Sequence, residues 1–211
     1  MKGRPYSGPA KTERSGGPSI SLPIDWSKAT QFKIPIPRDE KQRLAALRSY
    51  RILDTGPEEV FDDITLLASH TCQTPVALLV MLDSSRQWFK AKVGIDAAET
   101  PREMAFCAHT IMQRDLLIVP DASLDKRFAN NPLVTSSPKI CFYAGAPLVT
   151  PDNRAIGTLC VIDRVPRKLT PEQEHDLVAL SRLVMSQLEL RRRNLLQRRR
   201  ARKAKLSSKR R

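Results

Sequence analysis

No uninterrupted apolar run in this sequence approaches the roughly 18 residues that a membrane-spanning helix needs, so a helical membrane protein is excluded. The basic N-terminus does not lead into an apolar core, so it does not read as a secretory signal. Cysteine is scarce and scattered. Cys72, Cys107, Cys141 and Cys160 stand far apart, with no Cys-x-x-Cys pair among them. That excludes the disulfide framework of a small secreted domain and points to a reducing, cytoplasmic setting. Acidic residues are missing altogether from Arg191 to Arg211, a stretch that holds twelve of the 36 Lys and Arg residues. Removing those twelve from the net charge of +14 leaves about +2 for the rest of the chain. The basic character therefore belongs to an appendage, and the part before it is near neutral. Aromatic residues are also missing from that tail, which argues against base stacking on single strands.

What is present divides into three parts. Residues 1–37 carry six of the 16 prolines and four of the eight glycines, with little to pack, and are expected to be disordered. The alternation of Ile20, Leu22, Ile24 and Trp26 marks one short extended piece that could dock. Residues 38–190 have the material of a domain, and residues 191–211 form the basic tail. Leu44, Leu47, Tyr50 and Ile52 are spaced for a helix. Asp54 to Pro57 breaks it, and a second helix is expected with Pro57 in its first turn and its end near Gln73. Val76–Leu82 and Gln87–Val93 read as a hairpin, with Phe89, Ala91 and Val93 alternating against Lys90 and Lys92. A helix is expected over Arg102–Gln113, then a short strand at Leu116–Val119. The polar stretch Asp121–Pro138 is long for a compact domain, and loops of that length are usually functional or hide a short helix. Ile140–Val149 and Ala155–Ile162 read as a second hairpin. Thr170-Pro171-Glu172-Gln173 is a helix start, with an N-cap, a first-turn proline and a capping-box glutamine. Leu177, Leu180, Val184 and Leu188 give that last helix its apolar stripe. The order helix, helix, two strands, helix, strand, loop, two strands, long helix predicts an α+β fold with a mainly antiparallel sheet flanked by helices.

Several stretches carry a family likeness. Arg102-Glu-Met-Ala-Phe-Cys-Ala-His-Thr-Ile111, Val119-Pro-Asp-Ala122, Arg127-Phe-Ala-Asn-Asn-Pro-Leu-Val134, Phe142-Tyr-Ala-Gly-Ala-Pro-Leu148 and Gly157-Thr-Leu-Cys-Val-Ile-Asp163 resemble bacterial GAF domains. The upstream Leu53-Asp-Thr55, Phe61-Asp62 and Trp88-Phe-Lys90 fit the subgroup found ahead of sensor histidine kinases and diguanylate cyclases. The likeness spans about Arg38 to Leu190, and after Leu190 too few residues remain for a kinase or cyclase output module. It implies a GAF/PAS-like sheet with a ligand cavity between one face and the connecting helices and loops, and a homodimer formed through the terminal helices. The sequence departs from the better-known branches. It lacks the Asn-Lys-x-x-x-Phe-x-x-x-Asp-Glu pattern of cyclic-nucleotide-binding phosphodiesterases. Cys107 is followed by Ala108, not by the histidine that marks a chromophore cysteine. The three-cysteine set of free methionine sulfoxide reductases is not recognisable. The ligand and any cofactor therefore stay unnamed.

Candidate chemistry has to be weighed against ordinary packing. Cys107 and His109 suggest a thiolate and its base, but residues two apart on a helix do not face each other. Cys107 is read instead as a small buried residue on the cavity wall. His70 and Cys72 have the same awkward spacing for a metal. Cys141 and Cys160 lie on neighbouring strands, where a redox pair competes with the plainer role of small apolar residues. His175 reads as an exposed helix position. Arg102, Phe106, Cys107, Asp121, Phe128, Phe142 and Tyr143 are the candidate ligand-binding residues, mostly apolar with a few polar groups. Arg191, Arg192, Arg193, Arg198, Arg199 and Arg200 are the candidate contacts to a polyanion, either nucleic acid or an anionic membrane surface. No residue is assigned a catalytic or metal-binding role. The expected function is sensory: a small ligand occupies the cavity, and the long C-terminal helix passes the change to a signalling partner. Two alternatives stay open, a thiol-dependent reductase of this fold and a nucleic-acid-associated protein acting through its tail.

Overall fold

A computed structural model describes residues 33–208, with side chains placed through residue 201. The expected disorder of the N-terminal segment and its docking piece at residues 20–26 lie outside the described residues, as do the tail's last three positions. Helix α1 (Glu40–Tyr50) and helix α2 (Glu59–Cys72) come first. Each ends on a left-handed residue, Arg51 and Gln73. Pro57 stands outside α2, whose N-cap is the extended Glu58, so the expected first-turn proline is displaced by two residues.

The sheet follows: β1 (Val76–Leu82), β2 (Arg86–Val93), β3 (Glu99–Pro101), β4 (Leu117–Val119), β5 (Phe142–Val149) and β6 (Ala155–Asp163). The strands are antiparallel and ordered β3-β2-β1-β6-β5-β4. Strand β3 is an addition to the expected set. It is only three residues long, too short to show a period of its own, and it exists because Arg86–Trp88 offers it a pairing edge. Strand β1 is central and buried along its whole length, which is why its sequence is continuously apolar instead of alternating.

The two faces of the sheet make two cores. Ala77, Leu79 and Met81 of β1 and Leu159 and Val161 of β6 face α1, α2 and the last helix. Val76, Leu78, Val80 and Leu82 of β1 and Cys160 and Ile162 of β6 face the opposite way, toward the connecting segments. This is the period of two that any strand imposes. On β2 the period breaks. Leu79 pairs with Ala91 and Val80 with Phe89, so Lys90 is an extra, bulged residue. Phe89 joins the connecting-segment core while Ala91 joins the helical one, which corrects the expectation that Phe89, Ala91 and Val93 share a face.

The expected Arg102–Gln113 helix is two one-turn pieces, a 3-10 turn at Arg102–Met104 and α3 at Cys107–Thr110. Ala105 between them is extended, with ψ 120. The cause is tertiary: the Arg102 amide donates to Ser85 O, and the Arg102 side chain reaches Glu40 and Asp83 O, so the chain is pinned there in a non-helical path. The long polar stretch contains one helical turn, α4 (Pro132–Thr135), N-capped by the Asn131 side chain accepting from the Leu133 amide. Helix α5 (Pro171–Ser208) starts as the sequence predicts. Thr170 N donates to Gln173 Oε1, and Gln173 N donates to Thr170 Oγ1. Gln173 Nε2 also reaches Thr71 O, tying the start of α5 to α2. The helix then runs unbroken through the basic stretch.

Candidate functional site

On the connecting-segment side of the sheet lies a cavity of about 40 Å3. Its floor is the sheet: Val76 and Leu78 of β1, Gln87 and Phe89 of β2, Thr100 of β3, and Ile162 and Asp163 of β6. Its roof is Ile95 from the β2–β3 loop, Leu133 of α4, and Pro138 and Ile140 after it, with Arg164 at the edge. The long polar loop therefore does close over the sheet, through its few apolar anchors. The walls are apolar apart from Gln87, Thr100, Asp163 and Arg164. Gln87 donates from Nε2 to Thr100 Oγ1 at 2.5 Å, and its Oε1 is buried with no hydrogen-bond partner. Asp163 accepts from the Arg164 amide at 2.6 Å and is ion-paired with Arg167.

The candidate ligand-binding residues fall in four places, and none of them lines this cavity. Phe106, Cys107, Phe128 and Tyr143 do come together in the same core. Phe106 stacks on Phe128 with ring centroids 4.0 Å apart and lies 5.1 Å from Tyr143. Phe142, adjacent to Tyr143 on β5, necessarily faces the other side and packs in the helical core. Arg102 is buried at 3% exposure beneath α1, donating from Nη1 to Glu40 Oε1 and Asp83 O. Its Nε and Nη2 have no partner. Asp121 is spent on a local turn, accepting from Ser123 N and Ser123 Oγ.

The cysteines resolve in the same way. Cys141 precedes β5 and hands its amide to Asp163 O, whereas Cys160 pairs across the sheet with Gly145, so the two are out of register as a redox pair. Cys160 instead lies against Cys107, whose sulfur also receives Thr158 Oγ1 at 3.0 Å and Tyr143 OH at 3.5 Å. The Tyr143 hydroxyl meets Thr110 Oγ1 at 2.7 Å. The hydrogen bond to Cys107 and burial push the Cys160 thiol well up, and burial does the same to the Tyr143 phenol. None of the groups bonded to the Cys107 sulfur is positively charged, and His109 packs edge-on against Phe128 at 4.8 Å. This is a closed hydrogen-bonded network in the core, with no base placed to activate a nucleophile. His70 is exposed and Cys72 buried, so the pair does not converge on a metal. His175 is exposed on α5.

Sequence reasoning missed a second feature, on the opposite face of β2. Lys90, on the face opposite Phe89 as strand alternation requires, has a side chain with 0% exposure. Its Nζ donates to Glu58 Oε1 at 2.8 Å, Thr55 Oγ1 at 3.0 Å and Gly56 O at 2.6 Å. Glu58 also accepts from Arg191 Nε at 2.9 Å, and Arg191 Nη1 donates to Tyr50 O and Arg51 O, the carbonyls that end α1. Burial acts to raise the Glu58 carboxyl, but Lys90 and Arg191 outweigh it and hold it below its usual value. Arg191 is thus a structural clasp and not a free tail charge. Arg192 lies over the Tyr50 ring at 5.1 Å, while Arg193, Arg198, Arg199 and Arg200 are exposed. For Gln87, the available signal was a polar residue on the cavity face of a strand. For Lys90 there was none, because the groups that enclose it, Thr55, Gly56 and Glu58, lie more than 30 residues away in sequence.

The family model described as GAF domain matches residues 56–188. The chain is 45% identical over 157 residues to a cyclic di-GMP phosphodiesterase of Pseudomonas aeruginosa, a match covering 73% of this chain and 26% of that protein. The chain thus spans about a quarter of that relative's length. Among solved structures, the GAF domain of an Acinetobacter phosphoenolpyruvate-protein phosphotransferase superposes with a TM-score of 0.54 at 15% identity, covering 73% of this chain and 95% of that one. A GAF sensor protein from Burkholderia vietnamiensis does so with a TM-score of 0.52 at 16% identity, covering 72% and 98%. Those two likenesses speak for the fold, and the sequence matches speak for the family. This chain belongs to the GAF domain family.

Proposed function

We propose that this GAF domain is a regulatory module in which a small molecule enters the cavity on one face of the sheet and signals through α5 to a partner protein. One observation carries the reading: Phe89, which lines the cavity, and Lys90, which grips the helical side, are consecutive residues at the β2 bulge. A shift of Phe89 toward or away from a ligand rotates the same backbone that holds Lys90. Lys90 acts on Glu58, and Glu58 on Arg191, near the point where α5 leaves the domain. The same logic holds for β1 and β6, whose residues alternate between cavity and helices. Phe106, Cys107, Phe128 and Tyr143 complete the core beside the cavity and hold its walls. The identity to a cyclic di-GMP phosphodiesterase supports an output enzyme of that kind as what the module regulates. Exposed Val60 and Leu67 on α2 and Leu183 and Leu190 on α5 offer apolar surface for a homodimer. Native mass spectrometry of the purified protein tests the central claim, with a co-purified small-molecule adduct expected. In addition, amide exchange near Leu188–Arg193 should slow when the cavity is filled and stop responding in Lys90→Met. No adduct in repeated preparations, with no thermal shift across a compound library, would sink the sensory reading.

A second reading concerns the tail. Exposed Arg193, Arg198, Arg199 and Arg200 on a continuous helix favour contact with a polyanion through phosphates, without sequence preference. Deleting residues 193–211 should abolish retention on immobilised DNA at low salt, and persistence of retention would rule the tail out.

A further inference from the structure

We propose that a second pocket, separate from the sheet cavity, binds a dianionic phosphate carried on a small organic molecule. It lies where the start of α1, the turn after α3 and the β5–β6 turn meet, and it shares no wall residue with the cavity of the sensory reading.

Three observations converge. The first is accessible charge. Arg38, Arg43, Arg114 and Arg154 all line the pocket, and Asp39 is the one carboxylate among its wall residues. Asp39 is ion-paired with Arg154, while Arg38 and Arg114 are exposed and make no ion pair among the described residues. The four arginines come from three separate segments of the chain, so the fold, not a local charge run, gathers them. The second is the charge beneath. The Arg43 side chain is 2% exposed and donates from Nε and Nη2 to Glu40. Glu40 also takes the buried Arg102, so two enclosed guanidiniums share one carboxylate. Arg43 Nη1 makes one contact, 3.5 Å to the carbonyl of Ala155, at the outer limit of a hydrogen bond. A partly compensated buried cation is screened less than a surface one, and it attracts an anion seated above it. The third is size and wall chemistry. The pocket holds about 240 Å3, against the roughly 10–15 Å3 that one water needs on this measure. Ile111 and Met112 supply an apolar side, Met112 at 47% exposure. Two unpaired guanidiniums with a third charge below match a group bearing two charges and three terminal oxygens, where a carboxylate brings one charge and two oxygens. The remaining room beside Ile111 and Met112 takes the organic body.

The test titrates the 15N-labelled full chain at physiological salt with phenyl phosphate, inorganic phosphate and benzoate in turn. Saturable shifts of the Arg114, Asn153 and Arg154 amides are expected with phenyl phosphate, while the amides of Arg198, Arg199 and Arg200 in the tail drift without saturating. Benzoate, which keeps the ring and replaces the phosphate with a carboxylate, should bind about tenfold more weakly. Replacing both exposed arginines, Arg38→Gln with Arg114→Gln, should weaken phenyl phosphate about tenfold or more. Unchanged amide positions for Leu79 and Val161 in the core show that this variant is folded. Inorganic phosphate binding as tightly as phenyl phosphate would overturn the organic body and identify free phosphate as the occupant. Benzoate binding as tightly as phenyl phosphate would overturn the phosphate. If the pocket amides fail to saturate, or saturate together with those of the tail, or if the double variant binds like the wild type, there is no site here. Each of these outcomes leaves the sheet cavity, and the sensory reading of it, to its own test.

Discussion

Replacing Glu58 with alanine should cost this protein about as much stability as truncating a buried core side chain of similar size. Glu58 is the counter-ion of Lys90, whose side chain is fully enclosed, and the second partner of Arg191. Without it the ammonium keeps Thr55 Oγ1 and Gly56 O, which are neutral acceptors, but loses its one carboxylate partner among the described residues. Breaking a buried ion pair by removing one member typically costs about 3–5 kcal/mol, because the other charge stays behind uncompensated. The Glu58 side chain is 34% exposed, so water can partly replace it, and the low end applies. At about 3 kcal/mol and a urea slope of about 2 kcal/mol/M, the unfolding midpoint should fall by about 1.5 M. Urea denaturation followed by far-ultraviolet circular dichroism reads this directly. The loss should shrink in a Lys90→Met background, where no buried charge is orphaned, and contacting residues are expected to be non-additive in this way. Acid gives an internal check. The folded-state pKa of Glu58 is below the ordinary glutamate value of 4.5, so its stabilisation is complete above that value and is lost as pH falls below it. The gap between wild type and Glu58→Ala should therefore close on acidification below pH 4.5. A midpoint shift under about 0.5 M at neutral pH, roughly 1 kcal/mol at that slope, would refute the clasp.

Three further outcomes follow from particular contacts. Tyr143→Phe keeps the ring beside Phe106 but removes the hydroxyl bonded to Thr110, so it should cost about 1 kcal/mol and lower Tm by about 2–4 °C in a thermal scan. His109 is held below the ordinary histidine value of 6.5 by burial and then by Arg127, so the fold prefers the neutral ring. Its contribution is complete above pH 6.5 and fades as pH drops, and an imidazole resonance titrating at or above 6.5 by NMR would contradict this. Gly157→Ala would place a Cβ 2.0 Å from Val80 O between two paired strands, so a loss of about 3 kcal/mol is expected, whereas Gly56→Ala meets nothing within 4 Å and should be near neutral.

The parts of the fold that were legible in the sequence are those written by local rules. The Thr170–Gln173 capping box, both main hairpins and the apolar stripe of α5 depend on residues a few positions apart, and all are present in the structure. The failures have two physical sources. Arg102–Gln113 carries helical spacing, but contacts from Arg102 to Glu40 and Asp83 decide its path, and those partners are distant in sequence. The aromatic grouping failed for a reason the sequence itself contained. Phe142 and Tyr143 are neighbours on a strand, and a period of two forbids both from facing one ligand. Applying that rule would have kept Tyr143 with Phe106 and sent Phe142 to the helices. The cavity residues Ile95 and Ile140 sit in loops and Leu133 in a single helical turn, where no period exists to mark an inward face.

The bulge at Lys90 matters more than these misses, because the proposed ligand response would have to cross from one face of the sheet to the other there. In a regular strand, residues alternate faces but move together, so a displaced Phe89 would carry its neighbours along as a rigid plank. At the bulge, the extra residue is unpaired in the β1 ladder and its backbone is free of that constraint. Lys90 is anchored through its side chain, to Glu58 and the α1–α2 loop, while Phe89 is anchored by the cavity wall. Movement of Phe89 would therefore pass to Lys90 at a point where the β1 ladder does not hold the backbone. The same geometry reassigns the start of the basic tail. Arg191 is 133 residues from Glu58 in sequence, so composition alone counted it with the tail's free charges. In the fold it grips the end of α1, Arg192 lies beside it over the Tyr50 ring, and the exposed arginines begin only at Arg193. A signal that loosens Lys90 from Glu58 would release that grip first, so the helix should respond from Arg191 outward and not from its N-terminal cap, which Gln173 holds independently against α2.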